Sequence, residues 1–369
     1  LFGGARPSYA DISAPSADNL TWETVQQHNA GVDMTFLDNR LTFTGEYYIR
    51  DTKDMLTAGI TLPAVYGTSA PKMNSADMRT KGYELSVAWR DQFKLGNKPF
   101  SYQLSFTFSD YISEITKFDN PDKLLAKTYY EGMRIGEIWG YRVDGFFATD
   151  EEAKNYEVDQ RSVNTTINSS SGEYRGVRAG DLKYRDLDGD GEITTKDDRT
   201  YIGSAIPRYT YSLGVNAAWK GIDLKVFLQG VGKCDGYVGG MGRHAFTEVA
   251  NYPQKVHLDR WTWDNQNSHA TYPRFTYDET YNKKFSSFWI EDASYLRVKN
   301  IQLGYTFPAQ KINFLSKLRI SNLRVYFSGE NLWTLTDFFS SYDPESPISD
   351  GGYYPITASY SFGLSITLK

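Results

Sequence analysis

The run Tyr209-Thr210-Tyr211-Ser212-Leu213-Gly214-Val215-Asn216-Ala217-Ala218-Trp219 places an apolar side chain at every odd position and a small or polar one at nearly every even position. A period of two is what a pleated strand imposes, because successive side chains point to opposite faces. Other stretches repeat the scheme. Tyr102, Leu104, Phe106 and Phe108 alternate with Gln103, Ser105 and Thr107, and Tyr83, Leu85, Val87 and Trp89 with Glu84, Ser86 and Ala88. At the end of the chain Tyr360, Phe362, Leu364, Ile366 and Leu368 alternate with Ser361, Gly363, Ser365 and Thr367. One face is therefore continuous hydrocarbon. The other is small and hydroxylic but seldom charged, whereas the outward face of a soluble sandwich is usually rich in Lys and Glu.

The chain has 369 residues, and aromatics make up 15% of it, with 28 Tyr against 6 Met. Tyrosine in that quantity suits membrane interfaces, where the ring meets hydrocarbon and the hydroxyl meets water. The aromatics also sit towards the ends of the alternating stretches, as Tyr83 and Trp89 or Tyr209 and Trp219 do. Mean hydropathy is negative and no run of about 18 apolar residues occurs, which excludes a spanning helix. Spanning strands remain allowed, since they dilute their lipid face by alternation. Net charge is −5, which supplies no basic field for nucleic acid. The single cysteine, Cys234, forms no internal disulfide, and His28, His244, His257 and His269 lack metal-ligand spacing. No signal peptide stands at Leu1, so a processed chain or a missing front is expected.

Strands are expected near 25–37, 41–55, 81–92, 100–115, 208–219, 222–236, 289–307, 323–336 and 357–368. The links after the first, third and fifth are short: Asp38-Asn39-Arg40, Phe93 to Pro99, and Lys220-Gly221. Those after the second, fourth, sixth and eighth are long, the longest spanning 116–207, and Pro308 to Asn322 is intermediate. Short turns on one side and long loops on the other predict an all-β fold, an antiparallel up-and-down transmembrane β-barrel. Long loops would face outside, short turns the periplasm, and the last strand would end at the periplasmic side. The chain would then begin inside an extracellular loop, and an odd number of strands would be missing in front, because complete barrels have an even count. Near Lys299-Asn300 the apolar phase slips from Leu296 and Val298 to Ile301, Leu303, Tyr305 and Phe307. A β-bulge there would absorb the extra residue.

Residues 186–197 read Asp-Leu-Asp-Gly-Asp-Gly-Glu-Ile-Thr-Thr-Lys-Asp. Asp186, Asp188 and Asp190 fill positions one, three and five, Gly191 the sharp turn at six, and Asp197 closes position twelve. Glu192 at seven can give its carbonyl. This is the spacing of a calcium loop, with an Asp where the helix–loop–helix version carries a bidentate Glu. Clustered carboxylates repel one another unless a cation neutralises them, although a solvated acidic turn would read the same way. Calcium bound here would be structural, stiffening the long loop. Nothing catalytic emerges elsewhere: Glu248, His257 and Asp259 are close in sequence without a nucleophile motif, and no phosphate-binding glycine loop occurs. Trp261, Trp263 and Tyr272 would either stack on a ligand such as a sugar ring or anchor their loop.

Several stretches resemble SusC/RagA-type TonB-dependent transporters. They are Leu20-Thr21-Trp22-Glu23-Thr24 with Asn29-Ala30-Gly31-Val32-Asp33, Tyr47-Tyr48 with Asp51-Thr52-Lys53-Asp54-Met55-Leu56, and Lys81-Gly82-Tyr83-Glu84-Leu85. Gly180-Asp181-Leu182-Lys183-Tyr184 leading into the acidic loop, then Tyr201-Ile202-Gly203 and Pro207, is the most specific match. Gly329-Glu330-Asn331-Leu332 and Asp343-Pro344-Glu345 complete the series, so that the resemblance covers essentially the whole chain. It implies the C-terminal part of a barrel of about 22 strands, with plug, TonB box and leading domain upstream. It also implies no enzyme, but import of glycans or peptides across the outer membrane of Bacteroidota-type bacteria, powered through TonB, beneath a SusD-like lipoprotein lid. One departure is the ending Leu368-Lys369, where such barrels usually finish on an aromatic residue. Two other readings stand beside it: a passive diffusion porin, and a secreted calcium-stabilised carbohydrate-binding β-sandwich.

Overall fold

The computed structural model describes residues 20–58, 65, 71–125, 129–160, 163, 176–246, 252–276, 281–308, 312–339, 342–349, 354 and 356–368. In chain order the first strands are β1 (Thr24–Phe36), β2 (Leu41–Ala58), β3 (Lys72–Leu95) and β4 (Lys98–Lys117). Four short ones follow: β5 (Glu137–Tyr141), β6 (Val143–Phe146), β7 (Leu182–Tyr184) and β8 (Arg199–Ser204). Then come β9 (Arg208–Trp219), β10 (Ile222–Lys233), β11 (Asp235–Val238), β12 (Ile290–Asp292) and β13 (Tyr295–Phe307). The last are β14 (Ile320–Thr336), β15 (Ile348–Ser349) and β16 (Ser359–Leu368). The helices are single turns: α1 (Asp150–Lys154), α2 (Gly240–Arg243) and α3 (Asn313–Lys317).

The nine strands expected from the alternation form one nine-stranded sheet in the order β1-β2-β3-β4-β9-β10-β13-β14-β16. Each is followed by its chain successor in that sheet, and β1 and β16 are its two edges. The architecture is the up-and-down antiparallel pattern, and the sheet does not close on itself.

Some boundaries differ from expectation. β3 starts at Lys72 and not near 81. Its first nine residues carry polar groups on both faces, so no period shows, yet polar cross-strand bonds hold them. Ser75 Oγ lies 2.6 Å from Thr57 Oγ1, and Arg79 Nε donates to Asp51 Oδ1 at 2.6 Å. The stretch expected at 222–236 is β10 and then β11, interrupted at Cys234, and that at 289–307 is β12 and then β13. The break is shared, because Ala293 N donates to Cys234 O.

Register sorts the two faces. Tyr102, Ala217, Leu224, Leu303, Phe327 and Phe362 lie opposite one another across β4, β9, β10, β13, β14 and β16. One residue along, the row reads Gln103, Asn216, Lys225, Gln302, Ser328 and Ser361. Hydrocarbon thus meets hydrocarbon on one face, and amide or hydroxyl meets its like on the other, where Thr107 Oγ1 and Ser212 Oγ are 2.6 Å apart. The apolar face is left uncovered: Leu104, Phe106, Leu213, Leu303 and Val325 are exposed, and Phe362 is 87% exposed. No second large sheet packs on it among the described residues, the others having two or three strands. That removes the sandwich reading. The expected bulge is present, since Phe227 and Leu228 of β10 pair with Asn300 and Val298, so that Lys299 is extra. On β16 Gly363 is required by a close approach, because a Cβ there would lie 2.1 Å from Tyr326 Cζ on β14.

The chain divides into two compact units. One comprises Leu1–Gly31, Glu46–Tyr83 and Tyr111–Ile135, and in it Asn120 ties the link after β4. Its amide donates to Leu124 O and Tyr129 O and accepts from Leu124 N. The other comprises Val32–Gly45, Glu84–Asp110 and Gly136–Lys369. Here the long links carry a hydrophobic core of their own. Tyr141, Val163, Leu182, Tyr184, Ile193 and Tyr281 form one buried cluster. Cys234, Val238, Ala293, Phe338 and Phe339 form another with Val231 of β10 and Tyr295 of β13, which joins it to the wall. Each such buried side chain contributes about 1.5–3 kcal/mol before ordering entropy, enough to make this set of links a folded body.

Candidate functional site

The acidic loop hangs from that body by two anchors. Ile193 is fully buried in the core. Asp159 pairs with the loop backbone, its N–H donating to Gly191 O at 2.7 Å and its carbonyl accepting from Ile193 N at 2.8 Å. Between the anchors the carboxylates fold the chain. Asp186 Oδ1 accepts from Gly189 N at 2.7 Å, and its Oδ2 from Gly191 N at 2.9 Å. Asp190 Oδ1 accepts from Glu192 N at 2.8 Å. Gly191 has φ +89°, a left-handed conformation that a side chain would strain.

One ligand oxygen each from Asp186, Asp188 and Asp190 comes within 4.8 Å of the others, a spacing at which three oxygens can share one ion. Glu192 and Asp197 add no side chain to that group. Glu192 stands where a backbone carbonyl would serve, and Asp197 Oδ1 lies 3.5 Å from Lys196 Nζ. The two glycine N–H groups hold the Asp186 carboxyl below the usual carboxylate range. Desolvation, with the Asp190 and Asp198 charges adding to it, pushes Asp188 up. A third structural acid escaped the spacing argument. Asp198, fully buried, accepts from Leu187 N at 2.8 Å and Thr194 N at 2.7 Å, closing the loop on itself. Its signal was only an acid one place beyond the loop.

The segment before the loop is the keystone of the core. Gly180, at φ +80°, lies beneath Trp261, and a Cβ would sit 2.2 Å from the indole Cε3. Asp181 accepts from the Arg274 guanidinium (Nη2 to Oδ2, 2.9 Å) and from the Asn282 amide (Nδ2 to Oδ1, 2.7 Å). Tyr184 Oη donates to Tyr281 O at 2.6 Å, and Tyr281 Oη reaches Leu182 O at 2.7 Å. Trp261 and Tyr272 are buried and anchor their loop. Trp263 stays 59% exposed, its ring 5.4 Å from that of Trp261. His257 is consumed structurally, Nδ1 accepting from Gln254 N and Nε2 facing Arg243 O at 2.8 Å. Asp259 Oδ1 takes the Asn267 amide at 3.4 Å. Glu248 lies outside the described residues.

On the polar face of the sheet, near the short turns, a cavity of about 500 Å³ is lined by Arg40, Arg90, Gln103, Asn216, Asp223 and Lys225, among others. Asp223 is engaged by the Arg324 guanidinium (Nε to Oδ1, 2.9 Å), and Arg40 lies 3.5 Å from Asp91. The cavity wall carries charges of both signs, with the amides of Gln92, Gln103 and Asn216 among them.

An uncovered apolar face, a polar face, strictly sequential strands and links sorted by length define a wall of a membrane-spanning β-barrel. A family model described as "TonB dependent receptor-like, beta-barrel" matches residues 3–332, and the chain belongs to that family. It is 29% identical to TonB-dependent receptor P3 of Formosa agariphila over 95% of this chain and 34% of that protein. It is 25% identical to TonB-dependent receptor SusC of Bacteroides thetaiotaomicron, over 97% of this chain and 33% of that one. The chain thus spans about a third of the length of the curated relatives it matches. The solved structure of the RagAB peptide transporter shares its fold at a TM-score of 0.72 and 22% identity, covering 96% of this chain and 36% of that one. The family is one of outer-membrane proteins of Gram-negative bacteria.

Proposed function

We propose that this chain forms the C-terminal wall and outer loops of a transporter that imports oligosaccharides or peptides, powered through TonB and capped by a SusD-like lipoprotein. The observation that carries the reading is the sheet itself, with an uncovered hydrocarbon face and a polar face whose cavity presents Arg40, Arg90, Gln103, Asn216 and Lys225. Relatives named SusC and the RagAB peptide transporter support the partner and the cargo class. The test is uptake by cells carrying the full-length protein. Uptake of an oligosaccharide or peptide should stop when TonB is deleted, and the lipoprotein should co-purify from membranes. Uptake that survives loss of TonB would favour the passive porin.

A second, separate proposal is that Asp186, Asp188 and Asp190 bind one calcium ion, with the Glu192 carbonyl as a further ligand. Asp197 joins only if its side chain swings back from Lys196. The spacing and the convergence of three carboxylates support it. The ion would carry no chemistry beyond neutralising the cluster and stiffening the link between β4 and β9. Asp188→Asn with Asp190→Asn should raise protease sensitivity within 116–207, and calcium chelation should do the same to the wild type. An unchanged digestion pattern in both experiments would refute it.

A further inference from the structure

The short-turn end of the sheet carries cations that no acid among the described residues neutralises. Lys94 and Lys98 flank the turn between β3 and β4, Lys220 sits in that between β9 and β10, and Lys317 ends α3 with Arg319 following it before β14. All five are exposed, and among the described residues none enters an ion pair. Their neighbours behave differently: Arg40 has Asp91 and Arg324 has Asp223. One link at the opposite end has an acidic composition. The link 337–358 contains Asp337, Asp343, Glu345 and Asp350 and no Lys or Arg.

The cations sit where the strands run out: Phe100, Trp219 and Ile222 pair near the ends of β4, β9 and β10, and Ile320 pairs with Leu368 at the ends of β14 and β16. Lys220 Nζ stands 4.1 Å over the Trp219 ring, and Trp219 Nε1 donates to Leu95 O at 3.1 Å. The two turns are thereby tied together at the polar–apolar boundary. In the next turn Phe314 and Leu318, one helical step apart, are both exposed beside Lys317 and Arg319. Exposed apolar groups with cations immediately above them are the pattern of a segment lying in a headgroup layer.

We propose that Lys94, Lys98, Lys220, Lys317 and Arg319 form a collar that binds anionic phospholipid headgroups of the periplasmic leaflet. Trp219, Phe314 and Leu318 seat in the acyl boundary beneath it. This rests on the membrane-barrel reading with short turns in the periplasm. A phosphate diester supplies the charge that the chain itself withholds, and each cation near an anionic surface raises binding roughly fivefold.

The test uses the full-length transporter in nanodiscs of phosphatidylcholine with a minor share of phosphatidylglycerol, measuring which lipid is retained on mild extraction. Wild type should retain phosphatidylglycerol several-fold over its share, and high salt should weaken the preference. Lys94→Gln, Lys98→Gln, Lys220→Gln, Lys317→Gln and Arg319→Gln combined should abolish it, while Lys→Arg at the four lysines should keep it. A wild type with no preference overturns the collar, as does a glutamine variant that keeps the preference with its barrel intact. If that variant fails to assemble, the wild-type salt series decides alone, a salt-independent preference overturning the proposal. Preference for lipopolysaccharide over phosphatidylglycerol would overturn the choice of leaflet. Failure of the membrane reading looks different: the protein would enter no nanodisc at all.

Discussion

Leu213 sits midway along β9, flanked on its face by Phe106 of β4 and Leu228 of β10. From Trp219 to Tyr209 is ten steps at about 3.4 Å, which at a tilt of about 40° spans about 26 Å. That matches the apolar band of about 25 Å expected of such barrels, and it places Leu213 near mid-membrane. Leu213→Arg in the full-length protein should cost roughly 2–4 kcal/mol, while Ser212→Arg on the polar face should be tolerated. Assembly yields read by heat-modifiable gel migration check this, and equal loss at both positions contradicts the face assignment. His244 makes the second prediction at this scale. It is 3% exposed, packed against Trp289 at 4.6 Å between ring centroids, with Lys283, Arg243 and His257 as its charged or titratable neighbours. Burial, with the Lys283 and Arg243 charges adding to it, pushes its pKa down to about 3. The fold therefore favours the neutral ring. Its contribution is fully present above the unfolded value of about 6.5 and is lost as pH falls from there towards 3. At pH 5 the loss from this one group is about 2 kcal/mol. Hydrogen exchange around residues 239–246 should accelerate between pH 7 and pH 5 in the wild type and less so in His244→Phe. Equal acceleration in both would assign the effect to other groups.

Among the elements, β13 does two jobs that its sequence shows only in part. Its apolar phase, slip included, was legible, because a bulge leaves a mark in the alternation itself. Its role as an anchor was not, because the partners are 37 to 48 residues away. Arg297, buried on β13, donates to Thr334 Oγ1 at 2.8 Å, Asp343 Oδ1 at 2.8 Å and Glu345 Oε1 at 2.6 Å. Lys299 Nζ shares Glu345 Oε1 at 2.5 Å. The Asp343-Pro344-Glu345 segment is thereby pinned to the wall, and Pro347 O accepts from Tyr237 N where β15 runs beside β11. Removing one partner of a buried network strands the others, at about 3–5 kcal/mol. Arg297→Ala should release the link 337–358, giving a new protease site there while the barrel stays heat-modifiable. Unchanged protection would mean that β15 and the core hold the link without the latch.

At the scale of the whole molecule, β1 and β16 each have one neighbour in the sheet and one bare edge. In hydrocarbon every unpaired backbone group costs several kcal/mol, so such an edge persists only against another strand. Residues 1–369 expressed alone should aggregate or fail to insert, and should not show heat-modifiable migration as a monomer. A monomeric closed barrel from this chain would refute the strand order.

What the sequence by itself determined was everything carried by period and link length. The nine strands, their two faces and the sorting of short turns from long links follow from alternation, which is a local property of consecutive residues. The three converging aspartates were legible for the same reason, because their spacing lies within one turn of chain. What only the tertiary structure decided joins residues far apart. It set Asp197 beside Lys196 and closed the acidic loop on the buried Asp198. It buried Trp261 on Gly180 and left Trp263 outside, and it turned His257 into a cap for its own loop. It also packed the long links into a body with its own core. Packing of that kind depends on which distant surfaces meet, and no period in the chain records it.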